Sequence, residues 1–580
     1  MIAEELKQAV HRALQKLGVR NPEVVFEHPT DLTHGDYSTN AALMSAKELK
    51  RNPSELAKRL CKGLTLNLQK GQTFAERIEV AGAGFINFYL SKEFFANVVK
   101  RIVQGSTFLP TQGRTLESDF GTNKTLAGQK IIVEYTDPNP FKEFHIGHLM
   151  SNAIGESIAR LLEFQDAKVM RACWQGDVGL HVAKAIWGAP KLKVKSEKLK
   201  VAEWGEVYAK GSEAYETDQA AKKEIDALNK EIFAKSDEKV NKLYEAGRKV
   251  SLEHFEEIYK VLGTKFDYYF FEGKEGMEGK PIVEANVGKV FETSEGAIVY
   301  KGEKRGLHTR VFITSQGLPT YETKELGLNK AKFEKEPGLD ASLIVTANEQ
   351  SDYFKVVLAA MKEVLPEIAQ KTKHIAHGML RFASGKMSSR KGNIVTGEAL
   401  IGQVKEMVRE KLKDRELSEN EKDSIAEVVA VGAIKYSILR SANGSDIIFD
   451  FEKSISFEGD SGPYLQYSYV RAKSVLKKAA ALEVQPQVGK EVEPRKPSVL
   501  ERLLYRFPEI VERAGEELQP HYIATYLIEL AGAFNSWYAN GRIVDAKDPS
   551  SSYKVALTGA FATVMQNGLW LLGIPVPEKM

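Results

Sequence analysis

The stretch Ile131–Leu149, I-I-V-E-Y-T-D-P-N-P-F-K-E-F-H-I-G-H-L, constrains the fold more than any other part of this chain. Ile131-Ile132-Val133 is a β-branched apolar run and predicts a short buried strand. Thr136-Asp137-Pro138-Asn139-Pro140 follows, where two prolines forbid helix. Then His145-Ile146-Gly147-His148 leads into a helical pattern through Ile154, Ile158 and Leu161-Leu162. Strand, loop and helix in that order point helix N-terminal N–H groups at a bound phosphate. Two histidines at i and i+3 share one face of such a helix. Gly147 between them removes a side chain, so a flat ligand such as a purine can approach the backbone. H-x-x-H also reads as half a metal site, but Cys173 is the only cysteine nearby and no second paired cluster follows, which argues against zinc. Plain surface histidines are the remaining reading.

Far downstream lies Gly385-Lys386-Met387-Ser388-Ser389-Arg390-Lys391-Gly392-Asn393, with three cations in six residues. Alone, a basic loop of this kind is most often solvated surface. Beside the first stretch it gains a second reading, a loop that closes over a polyphosphate and stabilises charge as it develops. H-I-G-H after a strand, with a K-M-S loop downstream, resembles the signature pair of class I aminoacyl-tRNA synthetases. V-E-Y-T-D-P-N-P-F-K-E-F-H-I-G-H, with its acid, P-N and lysine before the histidines, resembles the arginyl-tRNA synthetases in particular.

The bulk properties allow this. At 580 residues there is room for several domains, each with a core. Apolar content of 43% and charged content of 27% are ordinary for a globular protein. A net charge of +3 does not announce a nucleic-acid partner, so any such surface is local. Cys61 and Cys173 offer no disulfide framework, which fits a reducing cytoplasm. The N-terminus reads as neither signal nor transit peptide, and no apolar run reaches membrane-spanning length.

In chain order, residues 1–112 read as a small α+β domain. A helical stripe at Ile2, Leu6, Val10, Leu14 and Leu17 opens it, and R-I-E-V-A-G-A-G-F-I-N-F-Y-L supplies two strands around a glycine turn. Gly82-x-Gly84 lacks the third glycine of a dinucleotide fingerprint and reads as a turn or bulge. H-G-D-Y-S-T-N-A-A and G-A-G-F-I-N-F-Y-L resemble the appended N-terminal domain of the arginine enzymes, which implies contact with tRNA. Residues 128–395 alternate strand and helix on both sides of a Lys/Glu/Ala-rich helical insertion at about 188–265, which predicts a doubly wound, Rossmann-type parallel sheet. The insertion's charges read as solvated helix faces. Residues 396–454 form a helical connection, and 455–580 a helical bundle. Beyond 395 the pattern is almost wholly helical. G-D-S-G-P-Y-L-Q-Y-S-Y-V-R-A and L-G-I-P-V-P-E-K-M resemble the family's anticodon-binding domain. Tyr464, Tyr467, Arg471, Trp537 and Tyr538 are the candidates there for stacking bases and meeting phosphates, with bundle core as the plainer role for most of the aromatics.

What the resemblance implies is ATP-dependent attachment of L-arginine to its tRNA, in the cytoplasm, by a monomer. ATP is a substrate, Mg²⁺ shares its phosphate charge, and no zinc is needed. His145, His148, Lys386 and Lys142 carry the catalytic role. Gly147, Met387, Ser388, Arg390 and Lys391 complete the ATP site. Glu134, Asn139, Tyr321, Glu325 and Gln350 form the arginine pocket. There are departures. Ser389 stands where the class has a second lysine, Glu325 where relatives have aspartate, and Val178 where they have tryptophan, so His181 nearby reads as structural or ligand-binding. The alternatives are a non-catalytic tRNA-binding relative, a class I synthetase for another amino acid, or a small adenylating ligase of the same fold. A cysteine enzyme would need a zinc cluster that two lone cysteines cannot build. The small ligases have no use for the added domains, and no G-x-x-x-x-G-K-[ST] phosphate loop occurs.

Overall fold

A computed structural model describes residues 2–68, 75–105, 110–111, 114–115, 118–191, 200–383, 396–488 and 496–580. The chain forms two compact units, residues 123–467 with 513–525 and 568–580, and residues 1–122 with 468–512 and 526–567.

The first unit is built on five strands: β1 Lys130–Glu134, β2 Lys168–Gln175, β3 Tyr268–Phe271, β4 Ala341–Ala347 and β5 Thr372–His377. They lie in the order β5-β4-β1-β2-β3, and every neighbouring pair is parallel. That is the doubly wound arrangement expected, with its switch point between β1 and β4, where a ligand crevice opens at the strands' carboxyl ends. Ile131, Ile132 and Val133 are buried, as an apolar run in a sheet covered on both faces must be. Helix α1, Ile146–Phe164, returns from β1 and is buried along nearly its whole length. Gly155 lets it lie against Tyr135, whose Cγ would be 2.3 Å from a Cβ at that position.

After α2, Leu180–Gly188, the insertion folds as α3 Val201–Thr217, α4 Gln219–Ala234 and α5 Glu238–Leu262. Asp218 and Asp237 cap α4 and α5 by accepting backbone N–H bonds. The insertion is more than solvated helix. Trp204, Val207, Ile225 and Ile232 join Val178, Val182, Ile186 and Phe141 in one apolar core. Phe141 comes from the loop that precedes the two histidines, so the insertion packs on that loop itself.

A short helix, Gly279–Glu284, and an antiparallel meander, 292–313, lead into α6, Tyr321–Lys335. Its buried residues include Glu322, Lys324, Glu325, Asn329 and Lys332, an unusual load of charge for a helix interior. Helix α7, Gly397–Lys411, follows. Among the described residues beyond 395, one short strand, Ile447–Phe449, interrupts the helices and pairs in parallel with Leu380–Phe382.

In the other unit, Leu6, Val10 and Leu14 face the core, and Phe85–Leu90 is flanked by Ala75–Ala81 and Tyr37–Thr39 in an antiparallel sheet. The H-G-D-Y motif ties this sheet to later helices. Asp36 is fully buried, pairs with Arg502 at 2.8 Å and accepts from Leu90 N–H. Tyr37 donates to Glu509, and Tyr505 joins the same core. Among the described residues, no helix is long and apolar enough to cross a membrane.

Candidate active site

The loop from β1 to α1 is strained in three places. Thr136 (φ 81°), Asp137 (φ 48°) and Phe141 (φ 68°) all occupy the left-handed region, which non-glycine residues avoid, a β-branched threonine most of all. Each is held from outside the loop. Asn152 Nδ2 donates to Thr136 Oγ1 at 3.0 Å, Trp174 N–H to Asp137 Oδ1 at 2.7 Å, and Phe141 N–H to Ser251 Oγ at 3.0 Å. A loop fixed this firmly can present fixed groups to a ligand.

His145 caps α1. Its Nδ1 accepts from Gly147 N–H at 3.1 Å, and His148 Nδ1 accepts from His145 N–H at 3.2 Å. The rings stack with centroids 3.5 Å apart. With both Nδ1 atoms accepting, the neutral rings carry their protons on Nε2. Burial, then the Lys142 charge, pushes His145 down to about 4. Burial, then His145 and Lys142, holds His148 well below the usual histidine range. At neutral pH the pair is therefore two uncharged donors at a helix start. Gly147 has a nearer purpose than ligand approach, because a Cβ there would lie 2.9 Å from His145 Cε1. Lys142 Nζ sits 4.8 Å from the centroid of Tyr208 on the insertion. His181 Nε2 bonds Gly176 O at 2.7 Å, which makes it a structural histidine.

The K-M-S stretch with Lys386, Met387, Ser388, Arg390 and Lys391 lies outside the described residues. Directly after it, Thr396 bridges to His145, and Gly397 N–H donates to Phe144 O at 2.7 Å. The chain that carries the second motif thus returns to the first.

The carboxyl end of β1 faces α6 across a cluster of acids. Glu134, 2% exposed, forms an ion pair with Lys332, which is fully buried. Glu325 accepts from Asn329 Nδ2 at 2.9 Å. Burial first and Glu134 second push Glu325 up to about 8, and the same two causes raise Asp137 well above the usual carboxylate range. Next to them, Glu272 is paired with Lys324 Nζ at 2.5 Å. Asn139 reaches this group from the loop: its Oδ1 would be 2.2 Å from a Cβ at Gly176, and Glu272 Oε1 3.2 Å from the same point. Tyr321 is exposed at the start of α6 with Lys324 Nζ 5.1 Å from its ring, and Tyr353 donates to its carbonyl. Gln350 is exposed in the turn after β4. Of the arginine-pocket candidates, Glu134 and Glu325 thus share one cluster and Asn139 lies near its Glu272 side, while Tyr321 and Gln350 are exposed. Sequence reasoning missed Asp137, Asn329 and Lys332. The one signal for the latter two was the i, i+4, i+7 row that they form with Glu325.

The candidates in the later helices divide. In one unit, Arg471 bonds Asn535 and lies 5.1 Å from the centroid of the partly exposed Tyr538, while Trp537 packs against an apolar cluster. In the other, Tyr464 and Tyr467 are half-buried.

A doubly wound sheet with imidazole donors at the helix start beyond its first strand is the catalytic architecture of class I aminoacyl-tRNA synthetases, and the family model for the class I (R) tRNA synthetase catalytic domain matches residues 114–451. The models for the arginyl-tRNA synthetase N-terminal domain and the DALR anticodon-binding domain match residues 2–90 and 465–580. The chain belongs to the arginyl-tRNA synthetases. It is 32% identical to the arginine–tRNA ligase of Fusobacterium nucleatum over 560 residues, covering 95% of this chain and 94% of that one. With the arginine–tRNA ligase of Clostridium perfringens it shares 29% identity over 595 residues, 100% and 99% of the two chains. The solved arginyl-tRNA synthetases of Thermus thermophilus and Plasmodium falciparum have its fold, with TM-scores of 0.76 and 0.78 at 24% and 20% identity; the first match covers all of both chains, the second all of this chain and 99% of the other.

Proposed function

We propose that this chain joins L-arginine to its tRNA in two steps, with ATP as co-substrate and arginyl-adenylate between them. The observation that carries the reading is the surplus of buried carboxylate at the switch point. Glu134 and Glu325 are buried, Asp137 stands partly buried beside them, and the three share one ammonium, that of Lys332; a guanidinium with its five donors suits such a surplus.

In the first step an arginine carboxylate oxygen attacks the α-phosphorus, and pyrophosphate leaves with the electrons of the broken P–O bond. In the second, the 2′-hydroxyl of the terminal tRNA adenosine attacks the acyl carbon, the bond to the phosphate oxygen breaks, and AMP leaves with those electrons while the hydroxyl proton passes to its phosphate. Neither step needs a protein nucleophile; both need orientation and neutralisation of spreading negative charge. His145 and His148 offer Nε2–H to the α-phosphate beside Gly147, and being neutral they keep donating across the physiological range. Lys142 stands beside them. Lys386, Arg390 and Lys391, with Met387 and Ser388, serve the β- and γ-phosphates, and ATP enters with Mg²⁺ on its phosphate oxygens. Glu134, Asn139, Tyr321, Glu325 and Gln350 hold the amino acid. Tyr464, Tyr467, Arg471, Trp537 and Tyr538 are the tRNA candidates. We place the enzyme in the cytoplasm as a monomer.

The test is charging of bulk tRNA with each labelled amino acid, beside a His148→Ala, Lys386→Ala double variant. Arginine alone is charged, and the variant loses it; each lost donor costs about 3–4 kcal/mol of transition-state stabilisation. A wild type that binds tRNA and charges nothing would overturn the reading.

A further inference from the structure

Lys332 has been assigned no role of its own so far, yet it is among the most deeply buried cations of the described residues. It stands on α6 three residues after Asn329 and seven after Glu325, a spacing that puts all three on one helix face. From there it meets Glu134 at the end of β1. Asn329 gives its amide N–H bonds to Glu325 and to the backbone of that residue, while its buried Oδ1 has no protein partner. The pocket therefore holds three carboxylates, one ammonium and one unused amide acceptor. Glu272, the next acid, is already matched by Lys324.

We propose that Lys332 is a positioning residue of the guanidinium pocket: its ion pair fixes the Glu134 carboxylate at the end of β1 and matches its charge, leaving Glu325 and the Asn329 amide oxygen to the arginine side chain. This rests on the arginine-charging reading above. An ammonium that turned away would leave Glu134 buried without a partner, and a buried unpaired acid takes up a proton rather than stay charged. Glu134 would then exchange a fixed anionic acceptor for a neutral group able to rotate. The groups facing Glu134 are Lys332 and Glu325 from α6, Asp137 from the loop, and Tyr353 at longer range.

The test is a double-mutant cycle on the full-length enzyme with Lys332→Met, Glu134→Gln and both together, reading the KM for arginine, the KM for ATP and their pH profiles. Lys332→Met raises the arginine KM about tenfold or more and leaves the ATP KM within about twofold. It also moves the pH at which the arginine KM levels off upward by about one unit, a change that lost packing alone would not produce. The double variant has the arginine KM of Glu134→Gln alone, because Lys332 acts through Glu134. An unchanged arginine KM in Lys332→Met, or losses that multiply in the double variant, would overturn the proposal. If Lys332→Met does not fold, the comparison of Glu134→Gln with the double variant decides: equality supports the proposal and a further loss overturns it. A wild type that charges no arginine sinks the functional reading first; a wild type that charges arginine, with a cycle showing no coupling, sinks only this inference.

Discussion

Two clusters of buried charge lie in the catalytic unit, and they differ in one respect. Under α1, Glu156 and Glu163 face Arg160 and Arg171. Arg171 donates from Nε to Glu156 at 3.0 Å and from its two terminal nitrogens to Glu163 at 2.6 and 3.0 Å. Arg160 donates to Glu156 at 2.7 Å and to the carbonyls of Trp570 and Gly263 at 2.9 and 3.1 Å. Burial opposes the charge on Glu156, yet Arg171 and Arg160 hold it down to about 2. At the end of β1, carboxylates outnumber ammonium groups, and Glu325 and Asp137 are driven up instead. Glu156 and Glu325, both buried, thus have opposite outcomes. A buried cluster whose charges are matched inside the protein ties helix to strand, and one left short of cations can take a ligand that brings one.

The comparison can be broken at either end. The largest effect is expected in the matched cluster. Arg171→Met takes one of two cations from the buried Glu156 and two bonds from Glu163, and costs about 3–5 kcal/mol of stability by urea denaturation. The arginine KM of the protein that still folds stays within about twofold of wild type. An Arg171→Met enzyme of full stability would erase the distinction.

In the unmatched cluster the signs reverse. Glu325→Gln raises the arginine KM by about thirtyfold, worth about 2 kcal/mol, and leaves the ATP KM alone. It does not destabilise the free enzyme. The Glu325 carboxyl titrates higher in the folded chain, about 8, than in the unfolded one, so its ionisation opposes folding increasingly as pH rises from the ordinary carboxylate range through about 8. The glutamine variant is therefore the relatively more stable protein above about pH 8, which thermal melts across pH will read.

The matched and unmatched clusters also mark what the sequence could disclose. The strand, the proline loop and the helix of the first motif follow from local pattern, and so does the alternation that builds the parallel sheet. Glu134 and Glu325 were reached only by resemblance, since nothing local sets a carboxylate in a pocket apart from one on a surface. Lys332 left only its spacing from Glu325 as a signal: its meaning comes from Glu134, on a strand it meets only once the sheet is wound. The same holds for Phe141, whose place in the insertion's core depends on helices far along the chain. Gly147 was legible as a missing side chain, but the neighbour it makes room for was its own motif's His145. The strain at Thr136 and Asp137 could not be seen either, because threonine next to aspartate carries no signal for positive φ.

The most direct test of the central claim is calorimetry of arginine binding near pH 7, in two buffers of different protonation enthalpy, with tRNA and an ATP analogue present. Glu325 holds a proton in the free enzyme at that pH and must lose it to face a guanidinium, so binding releases protons and the measured heat depends on the buffer. The release shrinks in Glu325→Gln. Heats that do not change with buffer, or a release that Glu325→Gln leaves intact, would contradict the account.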